Sequence, residues 1–145
     1  MKAFKLGEKR INEIVGVLFL LVGLFTLLSL LFFNPSDHTF YTSHPNEQFR
    51  NITGIVGVLF AHYLHFTFGL SSFSVPTLFL FWSFCFFLQK VPRKKLVEII
   101  GIIISIVAVS GLFSLLASES WKIRMGGVLG YFISENLEKY FGVAG

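Results

Sequence analysis

The chain has 145 residues, of which 54% are hydrophobic and only 14% are charged, and its mean hydropathy is +0.72. A soluble domain carries about 25% charged residues and could not bury so much apolar surface, so the composition excludes an ordinary soluble enzyme. The net charge of +4 does not indicate nucleic-acid binding, because the basic residues cluster beside apolar runs, as membrane topology signals do.

The first predicted element is a membrane-spanning helix over residues 14–33. A bilayer core about 30 Å thick needs about 20 apolar helical residues, and Ile14 to Phe33 is a run of 20 residues without a charge. The run is longer than the apolar core of a secretory signal, and no small-residue cleavage pattern precedes Asn34. We therefore predict an uncleaved signal anchor.

Two more spans are predicted over residues 70–88 and 96–117, because both segments are apolar and long enough to cross a bilayer. The segment 53–68 also lacks Lys, Arg, Asp and Glu, but it has only 16 residues and includes two histidines, His62 and His65. We predict that this segment is an amphipathic helix that lies in the membrane interface without crossing.

The distribution of basic residues predicts the orientation of these spans. Eight of the twelve Lys and Arg residues form two clusters, one before the first span and one in the turn after the second. The clusters are Lys2, Lys5, Lys9 and Arg10, and Lys90, Arg93, Lys94 and Lys95, with Pro92 in the turn. The positive-inside rule puts both clusters in the cytoplasm, which requires an even number of crossings between them. Residues 53–68 are therefore predicted to lie at the outer surface.

An internal repeat organises the chain. Glu13-Ile14-Val15-Gly16 opens the first span and Glu98-Ile99-Ile100-Gly101 opens the third, and Ser29 keeps the same offset as Ser114. Each span precedes a second matched segment, and this match predicts another interfacial helix over residues 127–141. The matched pairs are Gly54 with Gly127, Gly57 with Gly130, Leu64 with Leu137, Phe68 with Phe141, and Gly69 with Gly142.

The fold class predicted from these patterns is all-α. We expect a polytopic α-helical membrane protein built from a repeated unit of span, outer loop, interfacial helix and span. By the same logic, Gly142 to Gly145 is the turn into a fourth span that these residues do not include.

No catalytic, cofactor-binding or metal-binding residue is predicted. His62 and His65 share one helical face, but the repeat replaces them with Glu135 and Glu138, and a metal site needs further ligands. This exchange favours a solvated polar face. The glutamates that open the two spans, Glu13 and Glu98, are placed where a carboxylate complements a helix N-terminus. His38 and His44 are the other histidines that could be proposed as metal ligands, but we predict no metal site from them. No phosphate-binding G-x-x-x-x-G-K-[ST] run occurs.

The ordered motifs resemble one known family. They are the basic start, Glu13-Ile14-Val15-Gly16, Asn34-Pro35-Ser36-Asp37, Asn51-Ile52-Thr53-Gly54-Ile55-Val56-Gly57 and Phe68-Gly69. In this order and spacing the chain resembles the N-terminal four-span membrane domain of the FtsK/SpoIIIE bacterial DNA translocases, and the resemblance covers nearly the whole chain.

The resemblance implies a membrane anchor and oligomerisation module of a septal DNA translocase that acts in cell division and chromosome segregation. ATP, Mg²⁺ and DNA would bind only the hexameric motor of the parent protein, which these residues do not include, so we expect no enzyme activity and no cofactor here. The implied location is the bacterial cytoplasmic (inner) membrane at the septum, with a cytoplasmic N-terminus. The implied partners are the lipid bilayer, further copies of the chain and other cell-division membrane proteins.

Two alternatives from other classes stay open. Repeated span units also build carriers and channels, although these spans carry no central charge and no broken helix pair. A membrane enzyme would need a cluster of polar residues at the interface, which the sequence does not display.

Overall fold

The computed structural model describes residues 2–37, 50–90 and 95–142. Several residues discussed above lie outside these described residues, namely His38, His44, Pro92, Arg93 and Lys94. Five α-helices occur within them: α1 (Lys2–Leu31), α2 (Gly54–Phe68), α3 (Ser74–Phe87), α4 (Lys95–Leu115) and α5 (Lys122–Phe141). Short 3₁₀ segments cover Pro35–Asp37, Gly69–Phe73 and Glu119–Trp121. The described part of the chain contains no strand, and the predicted all-α fold is confirmed.

Helices α1 and α3 form an antiparallel pair. Ser83 donates a hydrogen bond of 2.8 Å to the carbonyl oxygen of Gly16, and Asn12 donates to Gln89 over 2.9 Å. The Phe19 ring stacks on Phe86 at a centroid distance of 5.5 Å. Gly16 packs against Phe86 and Gly23 packs against Leu80, so residue numbers rise along α1 as they fall along α3. The aromatic side chains of the second apolar run fill the contact.

Helices α2 and α5 lie at the opposite end of this pair from Asn12 and Gln89, and we call that end of the molecule the α2/α5 end. Helix α2 crosses the last turns of α1, where Phe25 packs on Phe60 at 6.3 Å. Helix α5 crosses the last turns of α4, where Gly111 lies beneath Ile133. The two long helices α1 and α4 are each covered at the same end by a shorter helix.

The burial pattern is that of a membrane protein. The fully buried residues are mostly small and polar, among them Thr26, Ser29, Ser110 and Ser114. Large apolar residues such as Leu21 are exposed instead. Helices in lipid associate through small residues and interhelical hydrogen bonds, because the lipid tails are as apolar as leucine. This arrangement follows that rule and reverses the pattern of a soluble core.

Two helical stretches among the described residues are long and apolar enough to cross a membrane, Lys9–Leu31 and Gly54–Phe87, and Ile100–Leu115 is a shorter apolar helix. The second stretch contains α2 and α3, but the chain turns between them at Gly69, whose φ is 58°. The predicted spans 14–33, 70–88 and 96–117 coincide broadly with α1, α3 and α4. Which helices cross the bilayer stays a prediction.

The predicted interfacial helices differ from each other in the structure. Helix α2 matches the predicted segment 53–68 closely, but it exposes apolar side chains around much of its circumference. Helix α5 begins at Lys122, before the predicted start at Gly127, because a helical turn precedes a kink at that glycine. Only α5 has a clearly polar face, which carries Glu135 and Lys139.

Candidate interaction sites at the α2/α5 end

Four glycines bracket the two short helices. Gly54 and Gly69 flank α2 with φ values of 67° and 58°, and Gly127 and Gly142 flank the second part of α5 with φ values of 66° and 58°. No other glycine among the described residues has a positive φ, which is a conformation that glycine adopts without the steric cost other residues meet. These are the pairs matched by the internal repeat, so the backbone repeats together with the sequence.

The crossing of long and short helix is also repeated. In the first repeat, the Ser29 hydroxyl lies 3.0 Å from the Thr53 hydroxyl, beside Gly57. In the second, the matched Ser114 hydroxyl lies 3.0 Å from the Ser134 hydroxyl, and Gly130 packs against the backbone of Ser110. A glycine opposite a serine lets two helix backbones approach closely in both crossings.

The two repeats meet at a backbone contact that we call the joint. A side-chain carbon added at Gly69 would lie 2.5 Å from the backbone nitrogen of Gly127 and 2.7 Å from the carbonyl oxygens of Arg124 and Met125. In return, a side chain at Gly127 would clash with the backbone of Thr67. The end of α2 therefore touches the kink of α5 with no room for a side chain on either glycine.

A buried polar cluster fixes the start of α2. Asp37 accepts hydrogen bonds of 3.0 Å from the backbone nitrogens of Arg50 and Asn51. The buried Asn51 side chain donates to the Ser29 carbonyl oxygen over 2.9 Å and accepts from Thr53. The motif residues that carry the family resemblance thus hold α2 onto the end of α1.

The two histidines of α2 are less exposed than predicted. His62 is buried and contacts Tyr63 and Phe66, and His65 packs on Phe33 at a ring distance of 5.2 Å. Burial lowers the pKa of His65, although its hydrogen bond to the carbonyl of Gly69 opposes that shift. The expectation of a solvated face is therefore wrong at His62, because aromatic neighbours cover the ring.

The matched acidic residues have a different environment. Glu138, which replaces His65, accepts two hydrogen bonds of 2.8 Å from the Lys122 ammonium, and Glu119 accepts a third of 2.6 Å. These hydrogen bonds to Glu119 and Glu138 raise the pKa of Lys122, whose side chain is buried. Glu135 lies nearby and accepts a hydrogen bond from the Tyr131 hydroxyl, which raises the pKa of that phenol. The sequence did not predict the ion pair between Lys122 and Glu138.

A groove of about 680 Å³ lies between the two repeats at this end. It is lined by aromatic, aliphatic and basic side chains. They include Phe33, His65, Leu70, Trp121, Arg124 and Met125, with the Arg124 guanidinium 4.9 Å from the centre of the Trp121 ring. The joint adjoins this groove, since Arg124 and Met125 belong to both.

The described His, Cys and Glu side chains that were considered for a metal or catalytic site do not form a cluster. Within residues 2–37, 50–90 and 95–142, no group of three His, Cys, Asp or Glu side chains is close enough to share a metal ion. Cys85 is a free, half-buried thiol on α3. Glu13 lies on α1, far from the two histidines at the α2/α5 end, and the side chain of Glu98 lies outside the described residues.

Comparison with known proteins identifies one family. Residues 8–145 match the family described as the 4TM region of the DNA translocase FtsK/SpoIIIE. The chain is also similar to three curated proteins that carry the name DNA translocase FtsK. The protein of Rickettsia prowazekii is 27% identical over 130 residues, which cover 89% of this chain and 17% of the relative.

The other two similarities cover comparable shares. The protein of Shewanella oneidensis is 27% identical over 145 residues, with 96% of this chain and 16% of the relative covered. The protein of Vibrio vulnificus is 28% identical over 130 residues, with 86% and 13% covered. The chain thus spans about a sixth of the length of the curated relatives it matches. No solved structure matches it.

Proposed function

Because the chain belongs to the 4TM region family of FtsK/SpoIIIE DNA translocases, we propose that it is the membrane anchor of a septal DNA translocase. Its helices form a polytopic membrane region, and the match over residues 8–145 is the observation that carries the proposal. The anchor holds the ATP-driven motor of the parent protein at the division septum of the cytoplasmic membrane. ATP, Mg²⁺ and DNA are ligands of that motor. The anchor contributes to cell division and chromosome segregation by keeping the motor at the septum.

The orientation we propose has the N-terminus in the cytoplasm and the α2/α5 end outside. Lys9 and Arg10 are exposed in the N-terminal part of α1. Gln89, which precedes the exposed Lys90, donates a hydrogen bond across the antiparallel pair to the carbonyl oxygen of Lys9, and accepts one from Asn12. Lys9, Arg10 and Lys90 thus belong to one end of the α1–α3 pair, which supports a cytoplasmic position for that end under the positive-inside rule. Helices α1, α3 and α4 cross, and α2 and α5 lie at the outer interface.

The α2/α5 end is the part of the anchor that we propose contacts other molecules. The two repeats are joined there, and this end also contains the Lys122–Glu138 pair and the groove of about 680 Å³. Other cell-division membrane proteins and further copies of the chain are the proposed partners. A hexamer of the parent protein, formed through its motor, would bring six of these anchors together.

A carrier or channel would need a polar path through the spans. The hydroxyls of Thr26 and Ser29 donate to carbonyl oxygens of their own helix, at 2.7 Å each, and Ser105 does the same at 2.8 Å. The cavity between α1, α3 and α4 is only about 170 Å³ and is lined by apolar side chains such as Phe19 and Ile103. These observations favour an anchor over a transport path.

The anchor proposal can be tested by fractionation and imaging. A fluorescent protein fused to the N-terminus of the chain should remain with bacterial membranes after alkaline carbonate extraction, and should collect at the division site. An unrelated three-span protein with the same fusion is the control for general membrane localisation. Extraction into the soluble fraction would overturn the membrane anchor, and uniform fluorescence around the cell would overturn the septal role.

A further inference from the structure

The groove between the two repeats lies beside the start of α5. The residues of α5 and its preceding turn that line it are Trp121, Ile123, Arg124 and Met125. The last described residue, Gly142, follows about four further turns of helix beyond the kink, or about 20 Å along the axis. The exposure of the groove therefore does not follow from the end of the sequence.

The walls of the groove are apolar and open. The first repeat contributes Phe33, Phe66 and Leu70, and the second contributes Trp121 and Ile123. Four of these side chains, all except Phe33, are exposed. The volume of about 680 Å³ lies within the range of about 300–1,000 Å³ that is typical of small-molecule sites, which are also lined mainly by hydrophobic and aromatic residues. The groove is therefore suited to a ligand with a large apolar part.

A single charge accompanies these apolar walls, since Arg124 is the only charged side chain among the described lining residues. Its guanidinium lies over the Trp121 ring, an arrangement that cation–π attraction stabilises. Within residues 2–37, 50–90 and 95–142, the ion pairs join Lys122 to Glu119 and Glu138, and Arg124 takes part in none. An exposed guanidinium beside an apolar groove is complementary to one anionic group on an apolar molecule.

The position of the groove in the membrane indicates which molecule has this chemistry. In the proposed topology the start of α5 lies at the outer membrane interface, where tryptophan is enriched and lipid headgroups adjoin the acyl chains. A peptide segment fits less well, because its backbone N–H and C=O groups would need partners. The lining offers few, since His65 already donates to the Gly69 carbonyl oxygen. A free phosphate ion would bind Arg124 and leave the apolar walls uncovered.

We propose that the groove binds one anionic phospholipid of the outer leaflet, with an acyl chain against the apolar walls and the headgroup phosphate on Arg124. Arginine suits this role because its guanidinium forms charge-assisted, often bidentate, hydrogen bonds to phosphate. A lipid with a net negative charge is favoured, since the choline of a zwitterionic lipid brings a cation of its own. This site goes beyond the proposed anchor role, although it rests on the membrane orientation proposed there.

Contact quenching of Trp121 by brominated lipids tests the site. The chain has two tryptophans, so Trp82→Phe leaves Trp121 as the only one. The full chain is reconstituted into vesicles of one fixed mixture of phosphatidylglycerol and phosphatidylcholine, in which the same mole fraction of either lipid carries dibrominated acyl chains. We expect phosphatidylglycerol to bind about five-fold more tightly than phosphatidylcholine. Trp121 should therefore be quenched more strongly when phosphatidylglycerol carries the bromine.

Substitutions on α5 assign the preference to one side chain. Arg124→Gln removes the charge and should make quenching by the two lipids equal, whereas Arg124→Lys keeps the charge and should keep part of the preference. Lys139→Gln is the matched control, because Lys139 is an exposed cation of the same helix outside the described lining, and it should leave the preference unchanged. Each variant is compared with its own fluorescence in unbrominated vesicles, because Arg124 contacts the Trp121 ring.

Three results would overturn the lipid site. They are equal quenching by both lipids before any change at Arg124, a preference that survives Arg124→Gln or is lost equally in Lys139→Gln, and loss of the preference when inorganic phosphate is added at constant ionic strength. The last would indicate a site for a free anion. Flotation of the vesicles separates this failure from failure of the anchor. Protein that floats without a lipid preference contradicts only the lipid site, whereas protein that does not float contradicts the anchor.

Discussion

Gly69 and Gly127 face each other across the joint of the two repeats, where a side-chain carbon on Gly69 would come within 2.5 Å of the backbone nitrogen of Gly127. Both residues have a positive φ, so each is glycine for two reasons: the backbone conformation and the lack of space. The contact ties the end of α2 to the kink of α5. It is one place where the two repeats of the chain pack directly against each other.

Substituting either joint glycine should destabilise the domain. Gly127→Ala puts a side chain on a residue with φ 66° and ψ −172°, a conformation essentially confined to glycine that costs about 1–3 kcal/mol, and the clash with Thr67 adds overpacking of about 1–3 kcal/mol. Thermal unfolding in detergent should therefore occur at a clearly lower temperature. Gly101→Ala is the control, because Gly101 is helical and has open space around it; its melting temperature should stay unchanged or rise. Equal melting temperatures for the two variants would contradict the joint.

The antiparallel pair of α1 and α3 should depend on the Ser83 hydroxyl. Ser83→Ala removes the interhelical hydrogen bond to Gly16, and such bonds in membrane helices contribute about 0.6 kcal/mol on average, with a maximum of about 1.7 kcal/mol. Ser105→Ala removes only a bond to the carbonyl of Gly101 in its own helix and should be close to neutral. Denaturation of both variants in mixed micelles measures the difference. A larger loss for Ser105→Ala would be incompatible with this pairing.

The stability of the domain should fall on acidification because of His65. Burial lowers the pKa of this imidazole below its ordinary value of 6.5, so the unfolded chain binds a proton more readily than the folded one. The stabilising effect of the neutral ring is complete above pH 6.5 and is lost as the pH falls towards the lower pKa of the folded state. Melting temperatures from about pH 8 to about pH 5 should decline less steeply in His65→Asn. Identical slopes would refute the assignment.

The Lys122–Glu138 pair should hold the start of α5 in place. Because hydrogen bonds to Glu119 and Glu138 raise the pKa of Lys122, the ammonium stays charged across the neutral range and its contribution does not change there. Lys122→Gln leaves Glu138 without its cation, so limited proteolysis near residues 119–122 should accelerate. Lys139→Gln removes an exposed cation that lies 5.9 Å from the centre of the Tyr140 ring and is the matched control. Equal cleavage rates for the two variants would contradict the prediction that the Lys122–Glu138 pair stabilises the start of α5.

The sequence predicted the helices and the repeat because both depend on local patterns. Charge-free runs mark α1, α3 and α4, and the spacing of Gly54, Gly69, Gly127 and Gly142 marks the short helices, since positive-φ positions select glycine. The repeat matches Ser29 with Ser114, and both hydroxyls lie at a crossing of a long and a short helix. The match of residues 8–145 to the family model confirms the family that the motifs indicate.

The contacts between distant segments could not be predicted in the same way. Lys122 and Glu138 are separated by 16 residues and a kink, so helical spacing does not relate them. The joint depends on how α2 and α5 pack, which no periodicity encodes. His62 was expected in solvent because its repeat partner is an acid, yet aromatic neighbours that lie a turn away along α2 cover it.

The orientation of the chain tests the account most directly, and impermeant maleimide labelling measures it. On a Cys85→Ser background, single cysteines replace Lys90, Arg50 and Glu119, with Ser43 as a further position in the first outer loop. We predict that Arg50→Cys, Glu119→Cys and Ser43→Cys react in intact spheroplasts, and that Lys90→Cys reacts only after lysis. Reaction of Lys90→Cys in intact spheroplasts, or of Ser43→Cys only from the cytoplasmic side, would contradict the proposed anchor topology.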